Sequence, residues 1–408
     1  MDKIKIKYFP IKIIIIVIIQ ICNFKTKTKN NFINIENYYL IKSIYNITKI
    51  NLYINYINNI KFIKKFNEIY IKKDIPFLSI CISAYNSEKY IEKAILSIIN
   101  QSFQDFEIIV VNDNSIDNTS KILKKLQKED KRIKLINHSQ NLGIYHSRVE
   151  GVLKSNSEYI LFLDSDDMIF NPFLFENAYK NYLKYNLDII EYTVIHKLEF
   201  ENKLYYPKEQ ELSHFHNYFK KIIYQPELSN ILFYKPNTKI YSKVRCRTVW
   251  NKLYKKDIAL KSIYYIGKSY FENYYLIVAE DTLLNIILFN FAQNYTNLNI
   301  PGYLYNVRKS SITHMEENDD FLMKKSISYF LYYQLLYRYI KEYDKDRNYL
   351  YYELQDYGLY ILNLQKFNNT ENYVKKAKIM FKDILNDNKT TLEFKNYISA
   401  RIIKYFIL

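Results

Sequence analysis

From residue 76 onward the chain alternates between two patterns. Short apolar runs occur at Pro76–Ala84, Phe106–Val111, Arg132–Ile136 and Tyr159–Leu163. Runs this short, rich in β-branched and aromatic residues, read as strands covered on both faces. Between them apolar residues recur every three or four positions. Ile91, Ala94, Ile95, Ile98 and Ile99 lie on one helical face, with Ser87 ahead of them as a candidate cap. A second helix is expected to run to about Gln127, and a third from Asn141-Leu-Gly143 to about Lys154. Strand and helix in alternation predict an α/β fold, a mostly parallel sheet flanked by helices. Right-handed crossovers then bring the polar strand ends Tyr85, Asp113 and Asp164 to one sheet edge. Past residue 170 the alternation weakens, and residues 321–408 read as helical.

The flanking segments differ in kind. Lys3, Lys5, Lys7 and Lys12 precede the apolar run Ile13–Cys22. That run is short against the roughly 20 residues of a full span, and Tyr8, Phe9 and Ile11 extend it. Residues 1–24 therefore read as a hydrophobic targeting or anchor segment, and membrane association through the N-terminus is expected. Such an anchor fits the secretory pathway or a cytoplasmic membrane face. Residues 25–74, rich in Asn, Ile, Lys and Tyr, read as a stem or linker. Residues 75–315 form the expected sheet domain and 316–408 a helical C-terminal region.

Net charge of +17 favours acidic partners. Lysine is spread evenly, however, and no zinc-finger spacing or RNA-binding signature accompanies it, so nucleic acid is not an expected partner. Three scattered cysteines, Cys22, Cys81 and Cys246, exclude a disulfide framework, and Cys81 reads as a small core residue.

The chemistry concentrates where the fourth strand ends. Tyr159-Ile-Leu-Phe-Leu163 runs into Asp164-Ser-Asp-Asp167, at the position where open α/β sheets bind ligands. Asp164 and Asp166 point to the same side of an extended segment. They repel one another unless a cation or a hydrogen-bond network holds them, which suggests a Mg²⁺ or Mn²⁺ site. Glu280-Asp281 opens an apolar helical stretch; the pair is either an ordinary acidic helix start or a source of a general base. Trp250, the single tryptophan, is either a core residue or a platform for a ring.

Several ordered segments resemble the family 2 glycosyltransferases. They are Ser79–Tyr90, Ser97–Phe103, Glu107–Asp117, Asn141–Gly143, Ser147–Gly151 and Glu158–Asp167, with patchier likeness to about residue 310. The resemblance implies a GT-A, Rossmann-like fold and a sugar transferase that uses a nucleotide-diphospho-sugar, a UDP-sugar by preference, with inversion. It implies that Tyr85 stacks on the base beside Ser83, and that Asp113 bonds the uracil. Asp164 would lie near the ribose and Asp166 would hold the metal, with Asp164 as its neighbour ligand. Asp281 would be the catalytic base and Trp250 would line the acceptor side. By their charge alone, Arg148 or Arg308 either assists at the diphosphate or is a surface or core ion-pair residue. Tyr305–Ile312 resembles the motif that closes the domain. The acceptor would be a glycan, lipid or protein. Asn114 stands where many relatives have Gly, and Asn tolerates left-handed backbone. No Gln-x-x-Arg-Trp segment is present, which favours transfer of one sugar over polymerisation. The alternative is a catalytically inactive protein that keeps the fold for binding or scaffolding.

Overall fold

The computed structural model describes residues 75–199, 203–205, 222–225, 248–267, 276, 278–308, 318–343, 345 and 348–403. The expected anchor at 1–24, the stem at 25–74 and the end of the Tyr305–Ile312 motif lie outside the described residues.

The first half builds as the pattern predicts. Strands β1 (Leu78–Ala84), β2 (Phe106–Asn112), β3 (Ile133–Asn137) and β4 (Tyr159–Asp164) alternate with helices α1 (Ile91–Ile99), α2 (Thr119–Glu129) and α3 (Ile144–Lys154). The four strands pair in parallel in the order β3-β2-β1-β4. The runs of β1, β2 and β4 are buried on both sheet faces, while the edge strand β3 buries fully only Ile133. In β4, Ile160 and Phe162 enter one core, while Tyr159, Leu161 and Leu163 enter the other. Each fully buried large side chain of this kind contributes about 1.5–3 kcal/mol of transfer free energy.

The sheet continues where the periodicity fades. Elements β5 (Met168–Ile169), α4 (Leu174–Tyr185), β6 (Ile189–Leu198), β7 (Lys203–Tyr205), β8 (Ile222–Tyr224), β9 (Lys252–Lys255), α5 (Lys256–Ile266), α6 (Glu280–Phe291) and β10 (Asn294–Val307) follow. Strand β9 pairs antiparallel with both β4 and β6, and β10 lies parallel to β6. Helices α7 (Asp319–Glu342), α8 (Asn348–Asn363), α9 (Glu371–Asn386) and α10 (Leu392–Tyr397) complete the described chain. Their apolar residues, Phe330, Leu336 and Phe381 among them, share one core with α3, α5 and α6. Among the described residues no helix is long and apolar enough to cross a membrane.

Local backbone chemistry sets the site's frame. Gly151 lets α3 lie close on β1, for a Cβ there would stand 2.9 Å from Cys81 Cβ. Cys81 is buried, and burial pushes its thiol pKa up, so it serves as an inert core residue. Ser87 does not cap α1. Tyr90 holds the N-cap position, and Ser87 contributes its main chain, accepting from the Tyr90 and Ile91 amides and donating to Thr119 Oγ1 at 2.8 Å. Asn114 takes the left-handed conformation expected of it, with φ 59°. Ala279, just before α6, is also left-handed at φ 65°. A side chain with a Cβ pays roughly 1–2 kcal/mol for that conformation.

Candidate active site

Three elements converge on one guanidinium. Helix α3 carries Arg148, whose side chain is 3% exposed. Its Nη2 donates to Asp164 Oδ1 at the end of β4 at 3.0 Å. Its Nη1 donates to Glu280 Oε1 at 3.0 Å and also to Asp281 Oδ1, both in the first turn of α6. A buried arginine is tolerated only with such partners. Three carboxylates around one cation still leave an excess of negative charge. Burial pulls the Arg148 pKa down, but Asp281, Asp164 and Glu280 outweigh it and hold the guanidinium charged. Asp281 is pushed well above the usual carboxylate range by burial. Arg148 opposes that shift, and Glu280 and Asp164 add to it.

The loop after β4 is held by strand β10. Asp166 pairs with Arg308, whose guanidinium lies over the Tyr90 ring at 4.8 Å. Burial and then Asp164 raise the Asp166 pKa, with Arg308 opposing. Asp167 does not face the site; its carboxylate accepts from Tyr303 Oη and from the Asn306 amide, each at 2.7 Å. It thus anchors the loop, as a capping residue would. Burial, Asp166 and Asp164 push its pKa well above the ordinary value.

The remaining residues singled out from the sequence are spread around this cluster. Ser83 lies directly across the β1–β4 ladder from Asp164. Tyr85, just past β1, is 48% exposed, so its ring is open to stacking. Asp113 is placed at the neighbouring strand end, yet it is buried and already engaged. It accepts from the Leu142 and Gly143 amides at 2.8 and 2.7 Å, and its Oδ1 lies 2.7 Å from His138 Nδ1. It fixes the loop entering α3 and is not brought to the Arg148 cluster. Trp250 is 9% exposed and stacks on Tyr303 at 4.4 Å and on Tyr305 at 5.5 Å, which makes it a core residue beneath the site. Arg148 and Arg308, considered for the diphosphate, both pair with site carboxylates here.

Among the described residues no group of three His, Cys, Asp or Glu side chains is arranged to hold a metal ion. A hard divalent ion bound largely by substrate phosphates needs only one or two carboxylates. Asp164 and Asp166 meet that need. Their side chains are 23% and 21% exposed, and each gives one oxygen to an arginine.

An open α/β sheet with carboxylates gathered at the carboxyl end of its fourth strand defines a ligand-binding class of fold. Residues 79–263 match the family described as Glycosyl transferase family 2. The chain is 27% identical over 242 residues to Glycosyltransferase GlyA of Streptococcus pneumoniae, spanning 58% of the chain and 32% of that relative. It is 27% identical over 241 residues to the uncharacterized glycosyltransferase EpsJ of Bacillus subtilis, spanning 59% of the chain and 64% of EpsJ. The chain therefore spans less than two thirds of the length of these relatives. In structure it is similar to S. aureus TarS in complex with UDP-GlcNAc, with a TM-score of 0.49 and 17% identity over 81% of this chain and 89% of that one.

Proposed function

We propose that the protein moves a single sugar from a nucleotide-diphospho-sugar, a UDP-sugar, to an acceptor hydroxyl on a glycan, lipid or protein, with inversion. One observation carries this reading. Arg148 draws Asp281 to the strand-end carboxylate Asp164, although Arg148 and Asp281 lie 133 positions apart in the chain. In a family 2 glycosyltransferase domain, that juxtaposition sets a general base beside the donor's leaving group.

An acceptor hydroxyl is a poor nucleophile until a positioned base takes its proton. Asp281 is that base, and its raised pKa moves it toward the range where such transfer is efficient. Arg148 holds Asp281 in place through the same fork that holds Asp164. Tyr85 offers its exposed ring to the nucleotide base, and Ser83 stands beside Asp164 on the donor side. Asp113 shapes the loop wall against which the base lies. A Mg²⁺ or Mn²⁺ ion held by Asp166 and Asp164 would offset the charge that builds on the departing diphosphate. Arg308 is a counter-ion to Asp166 within reach of the same region.

The test is a panel of UDP-sugars with Mn²⁺, scored for UDP release with and without chelator and in the Asp166→Ala variant. The reading expects release from at least one donor, lost with chelator and lost in the variant. Release indifferent to both would remove the metal from the account. Calorimetry with no nucleotide-sugar binding would return the non-catalytic scaffold in its place.

A further inference from the structure

One hydroxyl touches both ends of the acidic loop. Tyr303 is fully buried in β10, with its ring beneath Trp250 at 4.4 Å. Its Oη donates to Asp167 Oδ2 at 2.7 Å and lies 3.4 Å from the Asp164 main-chain nitrogen. Asp167 takes its second bond from the Asn306 amide, three residues further along the same strand. Downstream, β5 pairs Ile169 with Tyr303 and Met168 with Leu304, and the Phe170 amide donates to Gly302 O at 2.7 Å. Asp166 is thus the residue suspended between two tethered neighbours, with its carboxylate turned to Arg308.

We propose that Tyr303 is a positioning residue for the donor site: through Asp167 and the main chain of Asp164 it fixes the loop that presents Asp166. The inference rests on the transferase reading, in which Asp166 serves the diphosphate side. A phenol is suited to the task. It donates to a carboxylate and accepts from an amide at once, while the flat ring, stacked on an indole, has no freedom to swing. Groups that orient a ligand in this way without touching it typically change metal affinity 10–100-fold when removed.

Tyr303→Phe deletes the hydroxyl and keeps the ring. Tyr192→Phe is the control, because Tyr192 is equally buried and its Oη bonds Trp250 O at 2.9 Å without touching the loop. Two readouts are taken on the full chain: UDP affinity with Mn²⁺ by calorimetry, and hydrogen exchange of the Asp167 and Asn306 amides without ligand. The proposal expects Tyr303→Phe to weaken Mn²⁺–UDP binding about tenfold and to speed exchange at both amides. Tyr192→Phe should leave both within twofold of the parent. A folded Tyr303→Phe protein with parental affinity and exchange overturns the proposal, as does an equal effect in the control. Should the parent bind no UDP with Mn²⁺, the transferase reading fails by itself. The exchange result then decides the tether: unchanged exchange at Asn306 overturns it, and faster exchange confined to Tyr303→Phe upholds it.

Discussion

Replacing Arg148 by methionine isolates the electrostatic part of the site. Methionine keeps a flexible apolar stem of similar reach and removes only the guanidinium. Three carboxylates then lose their shared partner: Asp164, Glu280 and Asp281, with side chains 23%, 10% and 19% exposed. Breaking a buried ion pair by removing one member costs about 3–5 kcal/mol, because the remaining charge is left uncompensated. These carboxylates are each less than a third exposed, so screening by solvent reduces that figure only in part. With a urea slope of about 3 kcal/mol per M, the midpoint of unfolding should fall by about 1–1.5 M at pH 8. The deficit has a defined pH dependence. Burial already holds the Asp281 pKa above its unfolded value, and losing Arg148 removes what opposes that shift, so the Asp281 share of the penalty is complete above its folded value. It shrinks as pH falls through that value toward the unfolded range of about 4. Urea titrations of Arg148→Met and the parent at pH 8 and pH 5 check this. A deficit under about 1 kcal/mol at pH 8, or one equally large at pH 5, would refute the claim that the guanidinium neutralises this cluster.

Three further outcomes follow from the same geometry. Ala279→Gly should raise stability by about 0.5–1 kcal/mol, the left-handed strain relieved less the added freedom of glycine in the unfolded chain, read as a higher melting temperature; Ala279→Val should lower it. Gly151→Ala should cost about 1–3 kcal/mol by forcing α3 off Cys81, and Cys81→Gly in the same background should restore part of the loss. Transfer should rise with pH as Asp281 loses its proton, through an inflection above the ordinary aspartate value of about 3.9. A pH–rate limb at that ordinary value would contradict the burial of the base.

Legibility in the sequence followed the physics of each feature. Strands β1, β2 and β4 stand out because both their faces are buried, which makes every residue from Ile160 to Leu163 apolar. Asp164 and Asp166 stand out because charge follows such a run directly. Strands β9 and β6 were hidden: buried polar pairs such as Lys252 with Glu191, at 3.7 Å, interrupt their apolar pattern. Asp281 was visible as an acidic helix start, but its tie to Arg148 depends on two helices meeting over a sheet edge, which periodicity does not encode. Tyr303 carried no signal in a chain with 44 tyrosines. Asp113 and Trp250 were legible as residue types in telling places, whereas their burial and their partners, the Gly143 amide and the Tyr303 ring, come from tertiary packing.

In the proposed reaction the carboxylates gathered by Arg148 carry out glycosyl transfer with Asp281 as base. UDP release from a UDP-sugar with Mn²⁺, compared between the parent and Asp281→Asn, tests it most directly. The variant should fold and bind UDP as the parent does, yet release UDP at least about 100-fold more slowly. Release at the parental rate by a folded Asp281→Asn protein would contradict it.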